Sequence, residues 1–540
     1  MNEERINGTE TTEKETWRKR GGKKGTRRAP RAQTDMSKVT DNALEYYNKY
    51  PTDYNAAFNF PWFKVMGTPI PYDEIISGIP GAATYKVGNS RLPNTMIINY
   101  VPGPGVCADV QDPANRTFAM IMADLYAKTS GASLGFNSAQ LAMQLTSITS
   151  ILNAIGEAQR ALSCTEFWKT TNANYPRGLV RALGFNWEDL TQNKANYVTR
   201  LNSIIHMFNN MQVPAFIDIY NRQYTLASNL YVDEDDDFGQ VYAFRQKGIY
   251  NYVFASANKV QYCEFTPYAY SEVNFDTFLD LIQNALFKWV NSDDFYKVNG
   301  ALLRAYKDAP TITVPDSEIS TVIAPSKPDH ILMQIMNCDI LGEDIIDGLK
   351  IYENVVKNVI YFQPTFGRVA DGYKDSYPHL ANKRLLRLFD PNPTTDVNCE
   401  ATRLLTKLGI VDKHIVTPDG EDTTTQYYGV QSMQSELITS IDICTIGDDY
   451  SSNEIVSIKG NVLDIMAAGK FNNISIAMSV MPFRYLPPIY VVSNSDGANE
   501  IGYISTMGDW YNYTTVDDTV VDNMNRVALL SMWQIGRAHV

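Results

Sequence analysis

The sequence predicts a mainly α-helical protein whose C-terminal portion turns mixed or β-rich, and three observations carry that reading. Apolar residues recur at three-, four- and seven-residue steps in long stretches between residues 118 and 359, the spacing that lines one face of a helix. Past about residue 390 the pattern loosens into β-branched and aromatic runs broken by Asp, Asn and Gly. Ahead of both, residues 1–40 hold hardly any large apolar side chain.

Such a segment cannot offset the entropy of ordering itself, so residues 1–40 are expected to form a disordered arm. The arm is basic. Arg18, Lys19, Arg20, Lys23, Lys24, Arg27, Arg28 and Arg31 follow one another without an acidic residue, in a chain whose net charge is −13. An acidic body with a basic tail attracts a polyanion at one end, and each cation that neutralises a phosphate releases a condensed counterion. Gly21, Gly22, Gly25 and Pro30 keep the arm extended, which suits tracking a phosphate backbone rather than reading bases. A nuclear-localisation signal is the other reading of the same residues. From Tyr46 onward, aromatics and prolines (Tyr50, Pro51, Tyr54, Phe60, Pro61, Trp62) predict an extended segment laid on a neighbouring surface.

Residues 41–390 are expected to be predominantly helical. Residues 118–127 read as a first helix, and residues 137–162 place Leu141, Leu145, Ile148, Leu152, Ile155 and Leu162 on one face. Met143 and Ile151 widen that face, which predicts a central helix packed on several sides. Residues 194–211 follow with Tyr197, Leu201, Ile204 and Phe208 in register and Pro214 as a stop. Phe278, Leu279, Ile282, Leu286 and Trp289 form another face, with Asn274 or Asp276 as the N-cap. Ile345, Ile346, Leu349, Tyr352, Val356 and Val359 predict one more helix. Residues 391–533 are the mixed α/β region, a candidate projecting domain, with strand-like runs at 489–493, 501–505 and 513–516. Residues 535–540 match the in-frame translation of a sequencing-library adapter, so 534–540 are set aside and His539 carries no argument.

Chemistry-bearing motifs are weaker than they look. Gly131 to Gly135 match the G-x-S-x-G nucleophile elbow around Ser133, yet a helix and not a strand precedes them. Gly447, Asp448 and Asp449 form the G-D-D turn of an RNA polymerase, with Asp339 and Asp344 upstream, but no Ser-Gly-x3-Thr segment lies between. A run of carboxylates from Asp233 to Asp237 lacks the spaced ligands of a calcium loop. His206, His330, His379 and His414 have neither an i, i+4 His partner nor a Cys at metal spacing, and His206 reads as a core histidine. The six scattered cysteines suit reduced thiols behaving as small buried hydrophobes. No apolar run approaches the roughly 18 residues that span a bilayer, so no stable membrane insertion is expected. The residues therefore predict no catalytic group, no metal and no cofactor.

The segment from residue 117 to about 236 resembles the picobirnavirus capsid proteins. The features that carry it are the helix at 118–127, the run 148–155 followed by Arg160 and Ala161, residues 175–185, and residues 213–222 leading to Tyr231, Val232 and Asp233. A weaker likeness runs through 274–303 and 525–531. The resemblance implies a mostly helical shell subunit that dimerises and closes an icosahedral particle around double-stranded RNA in the virion, after assembly in the host cytoplasm. Its partners would be copies of itself and viral RNA, with the basic arm facing inward. Partitivirus capsids share that architecture. Two other readings remain beside it: a viral RNA-dependent RNA polymerase using Asp448 and Asp449, and an RNA-binding protein that does not assemble.

Overall fold

The structure, a computed structural model, describes residues 95–129, 133–169, 175–211, 213–234, 239–255, 260–341, 345–368, 383–389, 392–416, 422–446, 453–458, 462–464, 483–487, 490–495, 498–502 and 512–533, and before them 49–52, 55, 69–70 and 90–91. Contacts divide the chain into Met1–Lys64 and Val65–Val540. In the first unit Pro51, Thr52 and Asn55 are helical and not extended, as a proline at the start of a helix permits.

In the second unit the main helices in chain order are α1 (Pro113–Lys128), α2 (Ser138–Ser163), α3 (Lys194–Asn209), α4 (Asp218–Ser228), α5 (Phe275–Val290), α6 (Asp293–Ala305), α7 (Asp329–Asn337), α8 (Thr395–Ala401) and α9 (Asp518–Trp533). The main strands are β1 (Thr95–Pro102), β2 (Tyr231–Val232), β3 (Val241–Gln246), β4 (Gly248–Ala255), β5 (Val260–Pro267), β6 (Ile345–Asp347), β7 (Ile351–Asn354), β8 (Val359–Tyr361), β9 (Thr365–Arg368), β10 (Lys407–Val416), β11 (Asp422–Ser432), β12 (Glu436–Ile446) and β13 (Asn453–Ile458).

Helix α2 is the axis of the core, buried along nearly its whole length. It begins with a capping box: the Asn137 side chain accepts from the Gln140 N–H at 2.8 Å, and the Gln140 side chain accepts from the Asn137 N–H at 2.9 Å. A five-stranded sheet in the order β13-β12-β1-β3-β2 lies against this helical layer, with β1 and β3 parallel. Every residue of β1 is buried, and its alternation splits the core in two. Ile97 and Val101 face the α2 cluster, whereas Met96, Ile98 and Tyr100 join Tyr242, Phe244 and the α7 residues Leu332, Ile335 and Met336 on the opposite side. A second sheet has the order β8-β7-β5-β4, and a third β10-β11-β9-β6.

The fold is thus α+β rather than mainly α. Strands β3, β4 and β5 run through the region expected to be helical; β3 is buried at every residue, and a strand buried on both faces is not separated by periodicity from a buried helix. The helix expected from Ile345 to Val359 is three short strands, β6, β7 and β8. Gly348, at φ +95°, turns the chain between β6 and β7, a conformation no helix interior accommodates. The other helices fall where expected. At α5 the N-cap is Asn274, but its side chain makes no cap bond, and Asp189 instead accepts the Phe275 N–H at 2.8 Å.

Candidate functional site

Three buried polar clusters fasten the central sheet to the helices. In the first, Asn99 on β1 donates to Asp442 on β12 at 2.8 Å and to Ser440 at 2.9 Å. Arg245 on β3 donates to Asn99 at 2.9 Å, to the Ala182 carbonyl at 3.0 Å and to Asp442 at 2.6 Å. In the second, Arg222 on α4 forks onto Glu436 at the start of β12, with Nη2 at 2.8 Å from Oε2. Burial works to raise the Glu436 carboxyl, but the Arg222 charge and its hydrogen bonds outweigh it and hold the group below its ordinary value.

The third cluster surrounds Glu157 of α2, which accepts from the Gln246 N–H and from the Tyr270 hydroxyl at 2.9 Å. Burial pushes this carboxyl up to about 7 against the opposing pull of Arg160. Every one of these charges has a structural partner inside a packed interior, and none faces a cleft where a substrate would bind.

The motifs weighed from sequence fare likewise. Ser133 lies in the linker between α1 and α2. Asp339 is buried, 3.4 Å from Arg384 and accepting the Thr406 N–H at 2.9 Å. Asp233 accepts from the Gln240 N–H and the Tyr242 hydroxyl, and Glu234 pairs with Lys327 and Arg484. His206 is no core histidine; it stands exposed on α3, 3.0 Å from Asp316. Of the cysteines only Cys399 is exposed, and all six are unbridged. Asn115 is buried and donates to the Ile360 carbonyl at 3.0 Å. Among the described residues no group of His, Cys, Asp or Glu could hold a metal ion. Within the same residues no helix is long and apolar enough to cross a membrane. Arg18, Lys19, Arg20, Lys23, Lys24, Arg27, Arg28 and Arg31 lie outside the described residues, as do Asp448 and Asp449.

The exterior is more telling than the interior. Met120 on α1, Tyr296 on α6 and Val527 on α9 project into solvent, and Val356 in the β7–β8 turn is 95% exposed. Beside Val356, Lys357 pairs with Asp109 at 2.7 Å, which pins that turn to the segment before α1. A cavity of about 740 Å³ opens between α7 and α8, lined by Lys327, His330, Met333, Phe389, Asp396 and Glu400 among others.

The model of the picobirnavirus capsid protein family matches residues 46–480. The chain belongs to that family. A capsid protein precursor of human picobirnavirus is 22% identical over 550 residues, covering 97% of this chain and 98% of the relative. A crystal structure of the picobirnavirus capsid matches with a TM-score of 0.70 at 20% identity, over 93% of this chain and 98% of that one, which establishes the shared fold. As a picobirnavirus capsid protein the chain is a structural component of the virion and not an enzyme, so the polymerase reading falls. Sequence reasoning found the helices that carry the likeness but missed the buried charges, because Arg245 and Asp442 stand 197 residues apart with no local pattern to join them. It did not single out Met120, for which the near-continuous apolar run at 118–127 was the available signal.

Proposed function

We propose that the chain pairs with copies of itself and closes an icosahedral shell around double-stranded viral RNA, assembling in the host cytoplasm. The observation that supports this reading is the match of residues 46–480 to a capsid family, with Met120, Tyr296, Val356 and Val527 as exposed apolar side chains available to interfaces. A shell needs large interfaces with apolar centres, and exposed apolar side chains supply candidates for them. The shell is assigned to residues 41–390 together with β12, β13 and α9, which complete its central sheet and core, and the projection outward to other residues within 391–533. The basic arm, Arg18, Lys19, Arg20, Lys23, Lys24, Arg27, Arg28 and Arg31, contacts the RNA inside, supported by its run of cations on an otherwise acidic chain.

Electron microscopy of the purified chain, with and without residues 1–40, tests both parts. Closed particles in both preparations, with RNA lost only from the deletion, are the expected result. Particles that keep their RNA content after the deletion would remove the arm from this role. Soluble RNA complexes of small mass without shells would favour the non-assembling RNA-binding reading.

A further inference from the structure

Helix α1 buries one face against the core through Phe118, Ile121 and Leu125. Its other face is open, and its residues fall in two parallel rows. One row steps by four through Arg116, Met120, Asp124 and Lys128; the adjoining row steps by four through Ala119, Ala123 and Ala127. All are exposed except the half-buried Asp124. Rows of this spacing are the ridges and grooves by which helices interdigitate, and three alanines side by side leave a shallow groove into which a neighbouring ridge fits.

The charges along the ridge fix what fits. Counting the cap residue Asp112, the ridge reads negative, positive, apolar, negative, positive at Asp112, Arg116, Met120, Asp124 and Lys128. The order reverses its sign about its own centre, Met120. Laid antiparallel on a second copy of itself, the ridge sets Arg116 opposite Asp124 of the other chain, twice over, with Met120 of each copy on the alanine row of the other. Laid parallel, it sets like charge against like. A contact related by a two-fold axis is isologous, so the same residues must complement themselves, and this pattern does.

From this we infer that α1 packs antiparallel on α1 of a second copy across a two-fold axis at Met120. The inference rests on the self-assembly reading above and names the surface used. Arg116 and Asp124 select the orientation, while Met120 and the alanines supply the apolar centre. Asp124 also pairs with Lys128, 3.0 Å away, and accepts from the Tyr306 hydroxyl, so it reaches the second copy as a shared, half-buried carboxylate. Asp112 pairs with Arg526 at 3.6 Å and takes two backbone N–H bonds, so the outer Asp112 and Lys128 pair lies at the margin and contributes less.

Charge reversal tests this without relying on a damaged fold. Arg116→Glu alone sets two acids against each other at both ends of the contact, and Asp124→Lys alone sets two bases. Arg116→Glu should keep the far-UV spectrum and thermal midpoint of the unaltered chain, whereas Asp124→Lys, which also loses the bonds of Asp124 to Lys128 and Tyr306, should keep the far-UV spectrum with a lower midpoint; in both, self-association weakens at least about tenfold by sedimentation. Mixing the two variants should restore association, because in a heterodimer the two substituted positions meet at one end, acid against base, and the native Arg116 meets the native Asp124 at the other. Variants that associate as tightly as the unaltered chain, or a mixture no tighter than its components, would overturn the α1 contact while leaving self-assembly in place. An unaltered chain that stays monomeric would instead end the assembly reading itself.

Discussion

Arg245 and Asp442 lie 2.6 Å apart on strands that flank β1, and both are almost wholly buried. Asn99 between them bonds to each, so three strands drawn from distant parts of the chain share one charged cluster. Removing one partner of such a pair strands the other charge in a low-dielectric interior. Asp442→Ala is expected to destabilise the subunit by about 3–5 kcal/mol, read as a lowered denaturant midpoint. A loss under about 1 kcal/mol would mean that Asn99 and water satisfy Arg245 alone.

Glu157 predicts a pH dependence. Its carboxyl is raised from 4.5 to about 7 by burial, so the folded state holds a proton that the unfolded chain releases between those values. The stability it contributes is full below pH 4.5 and is lost as pH rises through 7. Glu157→Gln should remove that slope and leave the subunit more stable than the unaltered chain at pH 8 by about 3 kcal/mol. Denaturation midpoints of the two proteins from about pH 5 to 8 measure it; parallel curves would contradict it.

Gly348 tests the turn that replaced an expected helix. Its φ is +95°, and a Cβ there would sit 2.2 Å from the Gln363 carbonyl oxygen. Gly348→Ala should cost at least about 1–3 kcal/mol, seen as a lower thermal midpoint. An unchanged midpoint would show that the turn relaxes.

For the arm, the salt dependence of RNA binding is the readout. Each phosphate contact contributes a slope of about −0.9 in log affinity against log salt, so Arg27→Gln with Arg28→Gln should reduce the slope by about 2. Weaker binding with an unchanged slope would place those two residues away from phosphate.

The helices of this fold were legible because each carries its own period. Leu141, Leu145, Ile148, Leu152 and Ile155 announce α2, and Asn137 with Gln140 announces its start. The C-terminal strands were legible as β-branched runs, but the central sheet was not, since β1 and β3 are short runs whose partners lie far along the chain, and pairing register has no local mark. Ile345 to Val359 misled for the same reason: β-branched residues at helical spacing fit either structure, and only Gly348 argues against a helix. On the surface, the helix at 118–127 was legible, but which of its residues stand exposed needed coordinates.

The central claim is that this surface exists to meet copies of the same molecule, and the distribution of particle mass across a protein dilution series measures that most directly. The account predicts dimers giving way to closed shells as concentration rises in the unaltered chain. A single monomer mass persisting to the highest concentration, with RNA present and absent, would contradict it.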